Sequence, residues 1–437
     1  MTPFRLIPLV AALLATLPAH AQSLVDLYQA ARAYDASFQS VKSQYEATAA
    51  KAEQARAGLL PTASLGMAIS RSSVDPDVKL ASTAFGSQSA TLSGSHPLYR
   101  PANQITFDQG LRSVITAQAQ LLSAEQDLLV RVSQAYFDVL AALDALTFVT
   151  AQKTAVSEQL ASAVRNFEVG TSTITDTREA QARFDLVLAQ QIAAENDLRV
   201  KKIALDQLVG QTEASPKPLT PPVILPAMLP DDVRIWVNQA AELHPQLRQL
   251  ALALEVAQLE TQKAQAASKP TLDLNASYAM SNNDGTSSSR TSYKASVATV
   301  ALAFNMPLFS GFSIQNRVKE TLALEDKART DLEAARRTIA QATRTAFFGV
   351  LSGRGQARAL EAAEASSQSA LDANKLGYQV GVRINIDVLN AQSQLFQTKR
   401  DLAKARYDVL VGGLKLRQAN GSLRPEDLLA IDALLVK

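Results

Sequence analysis

The sequence predicts a mainly α-helical fold with a smaller β portion, written twice along the chain. Three observations lead there. Runs of helix-forming residues are far longer than a compact domain uses, short stretches of alternating hydrophobicity interrupt them, and collinear motifs recur at an offset of about 210 residues.

The N-terminus comes first. Arg5 precedes an apolar run from Leu6 to Leu17 that closes on Ala19-His20-Ala21, the small-x-small pattern of a secretory cleavage site. Residues 1–21 therefore read as a signal peptide, with the mature chain starting at Gln22. The run is too short to span a bilayer comfortably, and no other segment resembles a transmembrane helix.

Residues 22–214 form the first repeat and residues 231–420 the second. Gln29-Ala30-Ala31 answers Gln239-Ala240-Ala241, and Leu60-Pro61-Thr62 answers Lys269-Pro270-Thr271 one position out of step. His96-Pro97-Leu98-Tyr99 answers Met306-Pro307-Leu308-Phe309, and Ala135-Tyr136-Phe137 answers Ala346-Phe347-Phe348. Phe167-x-Val169-Gly170 answers Tyr378-x-Val380-Gly381, with Asp176 and Gln181 matched by Asp387 and Gln392. Each match is weak alone; their shared order is strong. Between the repeats, residues 215–230 are proline-dense and read as a semi-rigid connector, and residues 421–437 form a C-terminal segment.

Within each repeat the helices are long. From Leu111 to Val169 there is neither Gly nor Pro, a run that could extend roughly 90 Å at the α-helical rise. Similar runs cover 22–57, 171–209, 246–269 and 382–411. Leu128, Val132, Ala135, Val139 and Leu143 take the three- and four-residue steps of one packed face, as in a coiled coil.

Strand-like alternation follows in two hairpins, about 61–99 and about 270–309. Leu65, Met67 and Ile69 alternate with small or polar residues, as do Leu272, Leu274, Ala276 and Tyr278; Val300, Leu302 and Phe304 share one face. Strands of about ten residues are long enough to cross an outer membrane. The loops between them, 72–88 and 281–293, are rich in Ser, Asn, Asp and Gly. Tyr278 and Tyr293 at one margin, and Tyr99, Phe309 and Phe312 at the other, suit interfacial girdles. Four strands cannot close a barrel, so several chains must share one.

Composition excludes several classes. The 437 residues include no cysteine and carry a formal net charge of +2, which rules out disulfides, a catalytic thiol and a lipid-anchor cysteine, and leaves no basic stripe for nucleic acid. His96 and His244 each precede proline and lack a ligand-spaced partner, so no metal site is expected. Gly353-Arg354-Gly355 lacks the third glycine of a dinucleotide fingerprint and reads as a loosening of a helix. No enzyme motif and no cofactor site emerge.

Taken together, the HPLY and MPLF elements, Ala135 to Leu140, Phe167 to Ala182, Gly377 to Arg383 leading to Asp387-Val388-Leu389, and Leu423 to Ala430 resemble the TolC family of outer-membrane factors over essentially all of the mature chain. The missing acylated cysteine resembles the TolC-proper branch rather than its lipid-anchored relatives. The resemblance implies a homotrimer in outer-membrane lipid, with a twelve-stranded β-barrel of four strands per chain continued by an α-helical tunnel through the periplasm. An equatorial domain built from the connector and C-terminal segment would girdle it. It implies passive export, by type I secretion or multidrug efflux, with a periplasmic adaptor (membrane fusion) protein and an inner-membrane transporter of ABC or RND type. It further implies a closed tip at the turns near Gly170 and Gly381, where Thr175 and Asp176 match positions that bond Tyr378 and Arg383. Asp387 matches one carboxylate of a cation-sensitive pore constriction. Asn390 stands where the archetype has a second, so a ring built on Asp387 has half the formal charge. Read without the resemblance, Asp176 and Asp387 are helix-capping carboxylates, Arg383 is a solvated charge and Tyr378 is a packing residue. The competing reading of the whole chain is a periplasmic coiled-coil scaffold or adaptor without a pore.

Overall fold

The computed structural model describes residues 21–74, 83–285 and 291–436. The expected signal peptide, except its last residue, lies outside them, as do the centres of both strand-connecting loops. The elements in order are α1 (Leu24–Tyr34), α2 (Ala36–Arg56), β1 (Thr62–Val74), β2 (Thr83–Tyr99), α3 (Pro101–Glu168), α4 (Ile174–Val209), α5 (Val233–Leu243), α6 (Pro245–Ala266), β3 (Thr271–Asn283), β4 (Tyr293–Asn305), α7 (Ser313–Gln379), α8 (Asn385–Ala419) and α9 (Asp427–Asp432). They divide into two compact units. One comprises Met1–Gln39, Glu125–Val237 and Ala342–Lys437, the other Ser40–Ala124 and Asn238–Gln341.

The β-containing unit holds one four-stranded antiparallel sheet in the order β1-β2-β3-β4, so β1 and β4 each have a single partner. Pairing aligns the alternation seen in the sequence. Leu65 faces Leu92, Leu92 faces Tyr278 and Tyr278 faces Ala298, a row on one side of the sheet. One step along, Ser64, Ser93, Ser277 and Thr299 form the neighbouring row on the opposite side. One face is thus apolar and the other polar. The apolar face is bare: Ile69 is 84% exposed and Val300 77%. Beside the sheet, Glu260 of α6 accepts from Gln109 of α3 at 2.9 Å and from Arg317 of α7 at 2.7 Å, and these donors hold its carboxyl below the usual range. Arg100, just past β2, grips Asp273 of β3 with two bonds of 2.7 Å.

The helical unit ties the chain ends to the connector. Gln22 bridges to Pro216 and Leu219 to Leu435, and Tyr136 at the centre of α3 donates to the Lys217 carbonyl at 2.8 Å. Around that hydroxyl sits the core, where Phe137 stacks on Tyr407 with ring centres 5.5 Å apart and Leu128, Leu129, Val132 and Leu140 are buried. Tyr407 donates to Asp144 at 2.6 Å, and burial raises that carboxyl above its ordinary value. In the second repeat, Phe347 buries against Trp236, Val350 and Leu416.

Several boundaries differ from expectation. The run 22–57 is broken at Asp35, which accepts from the Phe38 N–H at 2.8 Å to start α2 and pairs with Arg131 at 3.0 Å. The strands reach further into the Ser-rich loops than their composition suggested, to Val74 and from Thr83, because backbone pairing continues where hydrophobic alternation has ended. α7 runs unbroken through Gly353 and Gly355. α3 contains an 18-residue window of mean hydropathy 1.3, apolar and long enough by that measure to cross a membrane, contrary to the reading of the sequence. That apolarity has a use within the chain, since 44% of the window is buried.

Candidate functional site

The two turns that join α3 to α4 and α7 to α8 are built alike. In the first, Gly170 has φ +80°, its N–H donates to Phe167 O, and Thr171 N–H reaches back to Asn166 O at 2.8 Å. In the second, Gly381 has φ +79°, its N–H donates to Tyr378 O, and Val382 N–H reaches Gly377 O at 2.9 Å. Both are helix stops of the Schellman type, which need a left-handed residue that glycine adopts without steric cost. The duplication in the sequence is therefore a duplication of turn geometry.

The helices that follow start differently. Thr173 caps α4, its hydroxyl accepting from Asp176 N–H at 3.2 Å while Asp176 accepts from Thr173 N–H at 2.9 Å. Ser172 and Thr173 hydroxyls each add a bond of 2.8 Å to the same carboxylate oxygen. The Thr173 backbone bond, then those hydroxyls, hold the Asp176 carboxyl below its usual range. α8 instead begins after Ile384, which has no side chain able to cap. Asp387, three residues on, is turned to Arg383 at 3.6 Å. Capping thus describes Asp176 within a single chain but not Asp387.

The other expected residues fall around these turns. Tyr378 is half-buried against Leu371, Val388 and Leu395, and its hydroxyl accepts from Asn166 Nδ2 at 3.2 Å. Thr175 and Arg383 are exposed. Asn390 accepts from Arg183 of α4 at 2.6 Å. Gln159 of α3 donates to Asn385 of α8, a third link between the hairpins. Within one chain, and among the described residues, Tyr378 and Arg383 are not joined to Thr175 or Asp176. Thr173 was legible as the first residue of a Thr-x-x-Asp capping box. Asn166 and Arg183 were not, since a contact between hairpins depends on a helix register that periodicity leaves open.

No described group of three or more His, Asp or Glu could hold a metal ion. His244 instead caps α6, its Nδ1 accepting from Gln246 N–H at 3.2 Å, and burial lowers its pKa. His96 lies in β2 opposite Leu274.

The profile of the family described as outer membrane efflux protein matches residues 27–211 and 236–422, one match per repeat. The chain is 32% identical to the outer membrane protein TolC of Vibrio cholerae over 98% of both chains. It is 30% identical to the alkaline protease secretion protein AprF of Pseudomonas aeruginosa, over 94% of this chain and 86% of that one. Its fold superposes on the crystal structure of the outer membrane protein VceC of Vibrio cholerae with a TM-score of 0.77 at 17% identity, over 92% of this chain and 96% of that one.

Proposed function

Since this chain belongs to the outer membrane efflux protein family, we propose that it serves its outer-membrane channel function as a passive exit duct, opened by partners in the inner membrane and periplasm. The observation that carries this is the sheet: one bare apolar face, one polar face, and two edge strands with a single partner each. In lipid every backbone group must be paired, so β4 of one chain joins β1 of the next until the ring closes. Three chains give a twelve-stranded barrel with the apolar rows toward lipid and the serine rows toward water. A periplasmic adaptor and an ABC or RND-type transporter would supply the energy, for protein secretion, drug efflux or both; the relative named for alkaline protease secretion supports a protein cargo. Protein extracted from outer membranes should sediment as one defined oligomer and conduct in a planar bilayer. A monodisperse monomer without conductance would favour the pore-free scaffold.

The tip residues fit a gate made between chains. Thr175 and Arg383 are exposed on neighbouring turns, so in a closed trimer Tyr378 and Arg383 of one subunit can reach Thr175 and Asp176 of another. Asp387, free of capping duty, is the candidate constriction carboxylate. Replacing Asp387 by Asn should weaken block by a trivalent cation about tenfold, since confined like charges concentrate counter-ions, and should leave thermal stability unchanged. Asn390→Asp should shift block the other way, by less than a full added charge, because Arg183 already contacts that position. An unchanged blocking concentration in Asp387→Asn, or a change that tracks trimer stability, would make Asp387 structural.

A further inference from the structure

α4 and α8 belong to different hairpins, and between them, floored by α3, lies a cavity of about 160 Å³. Two guanidinium groups line it, Arg183 from α4 and Arg400 from α8, and none of the described residues lining it is acidic. Arg183 is oriented by its bond to Asn390 Oδ1 at 2.6 Å. The Nε of Arg400 lies 3.8 Å from Asp401 Oδ1, beyond hydrogen-bonding reach. Each guanidinium carries five donors, so both have donors to offer. The remaining wall is mixed. Phe148 and Phe396 contribute aromatic rings, Val187 is buried, and Gln152 donates to Ser393 at 3.3 Å.

We propose that this cleft binds a small aromatic carboxylate, its ring between Phe148 and Phe396 and its carboxylate bridging Arg183 and Arg400. Two like charges from separate helices, with no acidic residue among those described as lining the cleft and only Asp401 close to Arg400, attract an anion; a planar carboxylate matches the guanidinium fork. The volume limits the rest of the molecule to about one ring, since a cavity of about 150 Å³ is the size that holds benzene, and the polar part of the open wall suits the charged end. An inorganic anion would leave the aromatic walls wet. Since α4 and α8 come from different hairpins, an occupant held by both arginines fastens one hairpin to the other.

The probe is benzoate, titrated calorimetrically into the detergent-extracted assembly, with benzamide as the uncharged isostere and acetate as the anion without a ring. Benzoate should bind saturably, one per chain, with a dissociation constant of about 1 mM or below, and should raise the melting temperature. Benzamide and acetate should each bind at least about tenfold more weakly. Arg183→Gln and Arg400→Gln should each weaken benzoate about tenfold or more while keeping the assembly intact, consistent with loss of a charge-assisted bond. Binding that survives both substitutions overturns the proposal. So does absent binding accompanied by loss of the oligomer in Arg400→Gln, which would assign the cleft to contacts between chains.

Discussion

Replacing Val300 by lysine should remove most of the assembled protein from the outer membrane, while Thr299→Lys, one residue away, should leave it in place. Val300 sits near the middle of β4, pairs with Ala276 and is 77% exposed on the apolar face. A lysine on the lipid side of a membrane strand costs about 2–4 kcal/mol near the midplane and about 0–1 kcal/mol near an interface. The cost recurs in every chain of the ring. Thr299 belongs to the serine-lined row, where a charge meets water and alters conduction rather than insertion. Phe304, close to the end of the strand, should give an intermediate loss as lysine. The amount of heat-resistant oligomer in outer-membrane fractions reads all three. Equal losses at 299 and 300 would mean that the two faces do not divide lipid from water.

The second large effect belongs to the tip. Arg383→Ser combined with Tyr378→Phe should raise single-channel conductance several-fold with the oligomer intact. A hydrogen bond to a charged group contributes about 1.5–3 kcal/mol. Moving a two-state gate from almost always closed to almost always open takes about 5.5 kcal/mol, which two or three such losses around a trimer supply. Within one chain the double variant also removes the Asn166–Tyr378 bond and the Arg383–Asp387 pair. Asn166→Ala therefore serves as the control. If it opens the channel as far as the double variant does, the closed state is held inside each subunit and not between them.

The fold was largely readable in the sequence because its two periods, near 3.6 and 2, alternate cleanly and occur twice. Leu65, Met67 and Ile69 announced a strand, and Leu128, Val132 and Val139 a buried helix face, although Ala135 is only partly buried and Leu143, expected on the same face, is 41% exposed. Glycine was misleading. Gly353 and Gly412 sit inside α7 and α8, where a methyl group would come within 3.1 Å of Val409 and 3.3 Å of Val350 respectively. Close approach of the two helices compensates for the roughly 1 kcal/mol that glycine costs a helix, and no propensity scale contains that contact. Asp35 misled in the other direction. It ends one helix and starts the next without Gly or Pro nearby, through bonds to Phe38 and to Arg131, 96 residues away. At the tip the pattern showed where the turns are and which carboxylates begin the next helices. It could not show that Thr173 would occupy Asp176 while Ile384 left Asp387 to pair with Arg383, since that rests on one side chain at each cap.

A sheet whose first and last strands each await a partner has a genetic consequence. Every subunit must offer two sound edges, so a chain altered in β1 alone can still be accepted through β4 and then refuse the next arrival. Such a chain would not be merely inactive. Co-expressed with the normal one, it would enter nascent rings and stall them, making edge mutations in β1 or β4 dominant-negative.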